Sequence, residues 1–275
     1  MTLINKVVLI SGASGGIGAA TAQAFAKAGS RVAITSRRKE KMEAFSSAFP
    51  SMLVITADIS DRSQAAGIVD RTLEHFGRID ILINNAASII VTPSASVDPD
   101  DLESAFRTNL TGPIIATLRA AEIMKKQGGG HIINVGSPGF MMGIPFYAPY
   151  VCSKAAFSAW TRTIQAEWKD SEIRVSEYFP GYIKTDSKPL SRIGDIDQDF
   201  LMNPDQHFLA RYFSRPKSPE HVARQLVRLA ASQKNIAFSG LGVRFGTLIA
   251  NFSSFRLSIA SKMSKTARKK LGNMK

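Results

Sequence analysis

A tyrosine and a lysine stand four residues apart in Tyr150-Val151-Cys152-Ser153-Lys154. On a helix such positions share a face, so the ammonium of Lys154 lies beside the phenol of Tyr150. A phenol titrating near pH 10 is a poor acid–base at neutral pH. An adjacent cation favours the phenolate and moves that pKa toward the working range. The pair recurs by chance in many sequences and gains its force from two other stretches. Ser11-Gly12-Ala13-Ser14-Gly15-Gly16-Ile17-Gly18 follows an apolar run and opens a helical pattern. Glycines placed there bring backbone amides at a helix N-terminus close to a pyrophosphate. The spacing is GxxxGxG rather than GxGxxG, and the bland alternative is a tight turn that happens to be glycine-rich. Ser36-Arg37-Arg38 comes about twenty residues later, where an NAD site normally places an acid for the ribose 2′-hydroxyl. Two guanidiniums and no carboxylate suit a 2′-phosphate, which points to NADP(H). Solvent-facing arginines opening the next helix are the alternative.

The elements that would position these residues alternate short β-branched runs with longer helical patterns, the mark of βαβ units and a parallel sheet. Strands are expected at 6–11, 31–36, 52–57, 79–84, 131–135, 174–179 and 235–238. They are apolar on both faces, as strands covered by helices on both sides must be. Helices are expected at 17–28, 62–76, 102–127 and 150–169. Asp98-Pro99-Asp100-Asp101 and Ser218-Pro219-Glu220 read as capped helix starts. The resulting fold class is α/β, a single Rossmann-type doubly wound sheet of about seven parallel strands with helices on both faces. Residues 1–240 form this domain. Within it, 186–217 holds Pro189, Gly194, Pro204 and Pro216 without a clean period and is expected to be a lid over a substrate site.

A chain of 275 residues with 44% hydrophobic and 21% charged residues is ordinary for a globular protein that buries a full core. The N-terminus has no signal-peptide pattern, and a cytoplasmic location is expected. The single cysteine, Cys152, excludes an internal disulfide framework; packing, rather than redox chemistry, is its expected role. His75, His131, His207 and His221 have no partners at metal-ligand spacing, so no metal site is expected. The net charge of +13 is uneven: residues 241–275 carry +8 and no acid, leaving +5 for the preceding 240 residues.

Taken together, these stretches resemble the short-chain dehydrogenase/reductase superfamily of the classical type. The glycine loop matches TGxxxGxG with Ser11 in place of threonine. Asn84-Asn85-Ala86-Ala87 matches NNAG except that Ala87 replaces glycine, Ser137 precedes Tyr150 by the family's thirteen residues, and Pro180-Gly181-Tyr182-Ile183-Lys184-Thr185 matches PGxxxT. The match runs in order across roughly residues 4–240. The resemblance implies a catalytic set of Asn109, Ser137, Tyr150 and Lys154. It further implies a dinucleotide held by Gly12, Ser14, Gly16, Ile17, Gly18, Arg37, Arg38, Asp58, Ile59, Asn85, Ala86, Tyr150, Lys154, Pro180, Gly181, Ile183 and Thr185. Asp58 would contact adenine, and Asn109 would hold a proton-relay water. Two departures carry expectations: Ala87 is expected to shift the backbone near the cofactor, and Gly136, in place of a common serine, to loosen the site.

The implied activity is ketoreductase chemistry: Tyr150 gives a proton to a carbonyl oxygen, Ser137 hydrogen-bonds that oxygen, and Lys154 binds the nicotinamide ribose. Stretches 138–149 and 186–217 are rich in Phe, Leu, Ile, Met and Tyr, which favours an apolar or lipid-like carbonyl or alcohol substrate. The family resemblance implies a homodimer or homotetramer. The tail, 241–275, spaces Phe245, Leu248, Ile249, Phe252, Arg256, Ile259 and Met263 as a helix face among basic residues. It would lie on an anionic membrane surface, or pack over the lid or a partner subunit. Such a tail keeps open a different class, a cofactor-binding, membrane-surface or interaction protein with secondary catalysis. No recognition fold accompanies the basic tail, so nucleic acid is not an expected partner.

Overall fold

The computed structural model describes residues 2–183, 190–191 and 216–244. Seven strands form one sheet: β1 (Val7–Ser11), β2 (Arg31–Ser36), β3 (Leu53–Thr56), β4 (Ile81–Asn84), β6 (Gly130–Val135), β7 (Ile173–Phe179) and β9 (Ile236–Phe238). All pairs are parallel, in the order β3-β2-β1-β4-β6-β7-β9. Parallel strands need long crossovers, and the helices supply them. Helices α1 (Gly16–Lys27), α2 (Lys39–Ser46) and α8 (Pro219–Ala231) cover one face, with Phe25, Met42 and Leu226 packed against Val8, Ile10, Ile34 and Ile133. Helices α3 (Arg62–Phe76), α5 (Gly112–Lys126) and α7 (Ala148–Glu167) cover the other, where Ile68, Ala116 and Ile164 meet Leu9, Leu82, Ile132 and Val175. The β1 segment Val7–Ile10 is wholly buried because both of its faces are covered. The doubly wound architecture expected from the apolar runs is the one observed.

Two local features depart from the expected pattern. The helix expected at 102–127 is broken into α4 (Pro99–Phe106), a π turn (Arg107–Thr111) and α5. Its start is capped as expected, the Asp98 side chain accepting from Asp100 N at 2.9 Å. A second, two-stranded sheet joins β5 (Ile90–Val91) to β8 (Leu190–Ser191), strands too short to register as a period. Ser218 caps α8 by accepting from His221 N at 3.3 Å. Most of 186–217 and all of 245–275 lie outside the described residues, and with them the expected lid and apolar tail face.

Candidate active site

The chain leaves β1 to build β2 and β3 on one side, then returns to lay β4 on the other side of β1. Ligands of open α/β sheets bind at the carboxyl ends of the strands where the order reverses. Gly12, Ser14, Gly16, Ile17 and Gly18 sit on the β1–α1 turn and the first turn of α1, and Asn85 and Ala86 follow β4, so both groups flank this point. They are tied together. Ser11 Oγ accepts from Asn85 N and Ala86 N at 3.1 and 3.2 Å, and Asn85 Nδ2 donates to the carbonyls of Ser11 and Gly12. The serine in place of threonine therefore keeps the hydroxyl that the connection uses. Gly12 has φ +72°, and a Cβ there would lie 2.6 Å from the Ala86 Cα. No side chain fits between the two loops.

Arg37 and Arg38 follow β2, but the structure treats them differently. Arg38 Nε and Nη2 donate to the Ser14 hydroxyl at 3.1 and 2.9 Å, holding its guanidinium against the glycine loop. Arg37 is 76% exposed and faces Asp58 at 3.6 Å. An exposed pair at that distance holds weakly. Asp58 and Ile59 follow β3, where the Asp58 carboxylate also accepts from Ser60 N and Oγ. Ala87 is exposed, and positive φ among described non-glycine residues occurs only at Asn5 and Phe146. Its backbone thus needs no glycine.

Helix α7 carries Tyr150 and Lys154 toward the end of β6, after which Ser137 stands. Burial pushes the Tyr150 phenol above its ordinary pKa, opposite to the lowering expected from the lysine, and the Ser137 hydroxyl bonded to it opposes that shift. Lys154 is 2% exposed; its Nζ donates to the Val135 carbonyl at 2.9 Å and lies 5.6 Å from the Phe157 ring centre. Burial lowers its pKa to about 8. Asn109 occupies the π turn, fully buried. Its Oδ1 accepts from Ser88 N at 2.7 Å, while Nδ2 donates to Ser88 O at 2.8 Å and to Ser153 Oγ at 2.9 Å. Ser153 Oγ in turn donates to the Tyr150 carbonyl. The Asn109 side chain is therefore spent on positioning. Beside Tyr150, Val91 and Tyr147 form an apolar cluster with Ile144, Phe146 and Val151.

After β7, Gly181 N donates to Ser239 Oγ at 2.8 Å, and Ile183 bridges Lys217, which fixes the Pro180–Ile183 stretch. Thr185 lies outside the described residues. Cys152 is exposed, which overturns its expected packing role: it points off the buried face of α7. Gly136 is also corrected. It does not loosen the site, because a Cβ there would meet Glu177 Oε1 and Phe179 Cε1, each at 2.9 Å. Sequence reasoning passed over Glu177, although a lone acid inside the apolar run 173–179 was its visible signal.

A family model for short chain dehydrogenases matches residues 6–192. This chain is a short-chain dehydrogenase/reductase. It is an oxidoreductase of the type that acts on CH–OH groups, in a family that uses nicotinamide dinucleotides. It is 32% identical over 236 residues to a 3-oxoacyl-[acyl-carrier-protein] reductase of Synechocystis sp., covering 83% of this chain and 90% of that one. It is 31% identical over 225 residues to a 3alpha-hydroxysteroid dehydrogenase of Mediterraneibacter gnavus, covering 73% and 90%. Among solved structures, a short-chain dehydrogenase from Streptomyces avermitilis superposes with a TM-score of 0.77 at 26% identity, covering 96% of this chain and 98% of that one.

Proposed function

We propose that this short-chain dehydrogenase/reductase is an NADPH-dependent reductase of apolar ketones. The observation that carries the reading is a phenol held protonated against Ser137, with a buried ammonium one helical turn away and an apolar wall alongside. The residues present fit a dinucleotide: Gly12 leaves space where any side chain would collide, and Arg38 stands over the loop that would carry the phosphates. The cofactor, when bound, supplies the hydride. This chain's own groups do the rest.

Tyr150 donates its proton to the developing alkoxide oxygen: burial keeps the phenol protonated beforehand, and the transfer depends on the stabilisation that Lys154 gives the phenolate. Ser137 hydrogen-bonds the same oxygen and orients the carbonyl. Lys154, as an ammonium, holds the nicotinamide ribose and makes the phenolate left behind less costly. The Asn109 backbone in the π turn is the place for a water that returns a proton to Lys154. Gly12, Ser14, Gly16, Ile17 and Gly18 would cradle the pyrophosphate, with Asp58 and Ile59 at the adenine and Asn85, Ala86, Pro180, Gly181 and Ile183 around the rest. Val91, Ile144, Phe146, Tyr147 and Val151 would face an apolar substrate, and the names of the two relatives, an acyl and a steroid enzyme, support that class.

The test follows NADPH absorbance with a panel of aliphatic, aromatic and steroid ketones. Tyr150→Phe is expected to lower turnover by roughly 10² to 10⁴, the range for a lost general acid, and to leave NADPH binding intact. A Tyr150→Phe enzyme retaining most of its activity on a substrate of the wild type would overturn the assignment.

A further inference from the structure

The catalytic lysine stands above a carboxyl group that the chemistry described so far does not use. Glu177 lies mid-strand on β7, 0% exposed, and neither carboxyl oxygen accepts a hydrogen bond. Its register partners are Asn134 on β6 and Ile236 on β9. It points to the face covered by α7, where Lys154, Ser158 and Arg162 recur every fourth residue and so share one stripe. Arg162 Nε lies 3.9 Å from Glu177 Oε2. The Ser158 hydroxyl, buried and bonded to nothing else, faces the carboxyl without a well-formed hydrogen bond to it. Room for the carboxyl comes from Gly136, whose missing Cβ would lie 2.9 Å from Glu177 Oε1. Lys154 Nζ is bonded to Val135, the β6 residue immediately before that glycine.

A buried ammonium with one carbonyl acceptor, and a buried carboxylate whose ion pair to the half-exposed Arg162 is 3.9 Å long, are each costly alone. One bonded to Val135 O and the other filling the space beside Gly136, they offset one another through a low-dielectric interior. We propose that Glu177 is the counter-charge of Lys154, a positioning residue that keeps the lysine an ammonium at the pH where the ketone is reduced. This rests on the role given to Lys154 above. The titrating or charged groups that act on Glu177 are Lys154 and Arg162, both on α7, while β6 presents Asn134 and Gly136 and β9 presents Ile236, none of which titrates. Burial raises the Glu177 pKa to about 7, with Ser158, Arg162 and Lys154 opposing; Glu177 in turn opposes the lowering of Lys154.

Two measurements decide it. In Glu177→Gln the alkaline limb of kcat/KM for reduction is expected to move down by about one pH unit, since an opposite charge at this range shifts a pKa by about 1–3 units. That is about a tenfold loss on the alkaline side and less than about twofold on the acid plateau. Glu177→Asp, which keeps the charge one methylene further back, should fall between the two. A purely structural role would lower activity equally at every pH. The second measurement is infrared titration of the full chain without cofactor. Wild type should show a protonated carboxyl band that disappears near neutral pH and is missing in Glu177→Gln. In Lys154→Met its midpoint should rise. This arm stands even if no ketone is turned over, so a failed substrate assignment and a failed pairing are told apart. An unmoved alkaline limb in a Gln variant that melts like wild type, or a Glu177 carboxyl that titrates identically in wild type and Lys154→Met, would overturn the proposal.

Discussion

At the residue scale, the two arginines after β2 are unequal, and cofactor preference tests it. Arg38 is held on Ser14, whereas Arg37 is exposed and loosely paired with Asp58. A ribose phosphate gains most from the guanidinium already positioned, because a held fork loses less freedom on binding. Arg38→Ala is expected to erase most of the proposed preference for NADPH over NADH, at about 1.5–3 kcal/mol for a charge-assisted contact. Arg37→Ala should cost less. Titrating each variant with both cofactors by quenching of intrinsic fluorescence measures the difference, and equal wild-type affinity for the two cofactors refutes it. The types and order of these residues were visible in the sequence. Their unequal anchoring was not, because the Arg38–Ser14 bond joins positions in different βαβ turns.

At the scale of elements, the seven strands were legible because burial on both faces leaves unbroken apolar runs such as Val7–Ile10. The π turn was not legible. Nothing in Arg107–Thr111 breaks helical periodicity, and the turn is stabilised from outside by Ser88 and Ser153 gripping Asn109. Likewise Gly136 looked like slack because its filler, Glu177, sits on another strand. The Asn109 contacts predict a stability role: Asn109→Ala removes three buried hydrogen bonds and should cost about 2–3 kcal/mol. Urea unfolding of the variant checks this, and a midpoint equal to wild type would show that the π turn stands without its asparagine.

At the scale of the whole molecule, the end of the sheet opposite the site is fastened by charge. Asp80 accepts from Val7 N at 2.9 Å, Lys6 Nζ at 3.0 Å and Arg78 at 2.8 and 3.0 Å, joining the starts of β1 and β4. Burial pushes its carboxyl up, but these donors outweigh burial and hold it below the usual range. A depressed carboxylate adds stability above its unfolded pKa and loses it as pH falls through the folded value. Asp80→Asn is therefore expected to lower stability by about 2 kcal/mol at pH 7, with the gap to wild type closing below about pH 4. Thermal melts at pH 7 and pH 3 read it; an equal gap at both would refute the linkage. His131, buried against Ser176 and Arg174 with its pKa pushed down to about 3, adds an earlier loss that begins as pH falls below about 6.5.

The strand order also bears on how the protein is made. Residues through Val135 contain β1, β2, β3, β4 and β6, already adjacent in the sheet, with the glycine loop, the paired arginines and Asn85 in place. Tyr150 and Lys154 emerge from the ribosome later, and the outer edge of β6 waits for β7 to cover it. During translation the nascent chain thus carries a bare parallel edge through Ile132 and Ile133, the kind of edge that recruits stray strands. A pause in synthesis between β6 and β7 would leave that edge uncovered for longer.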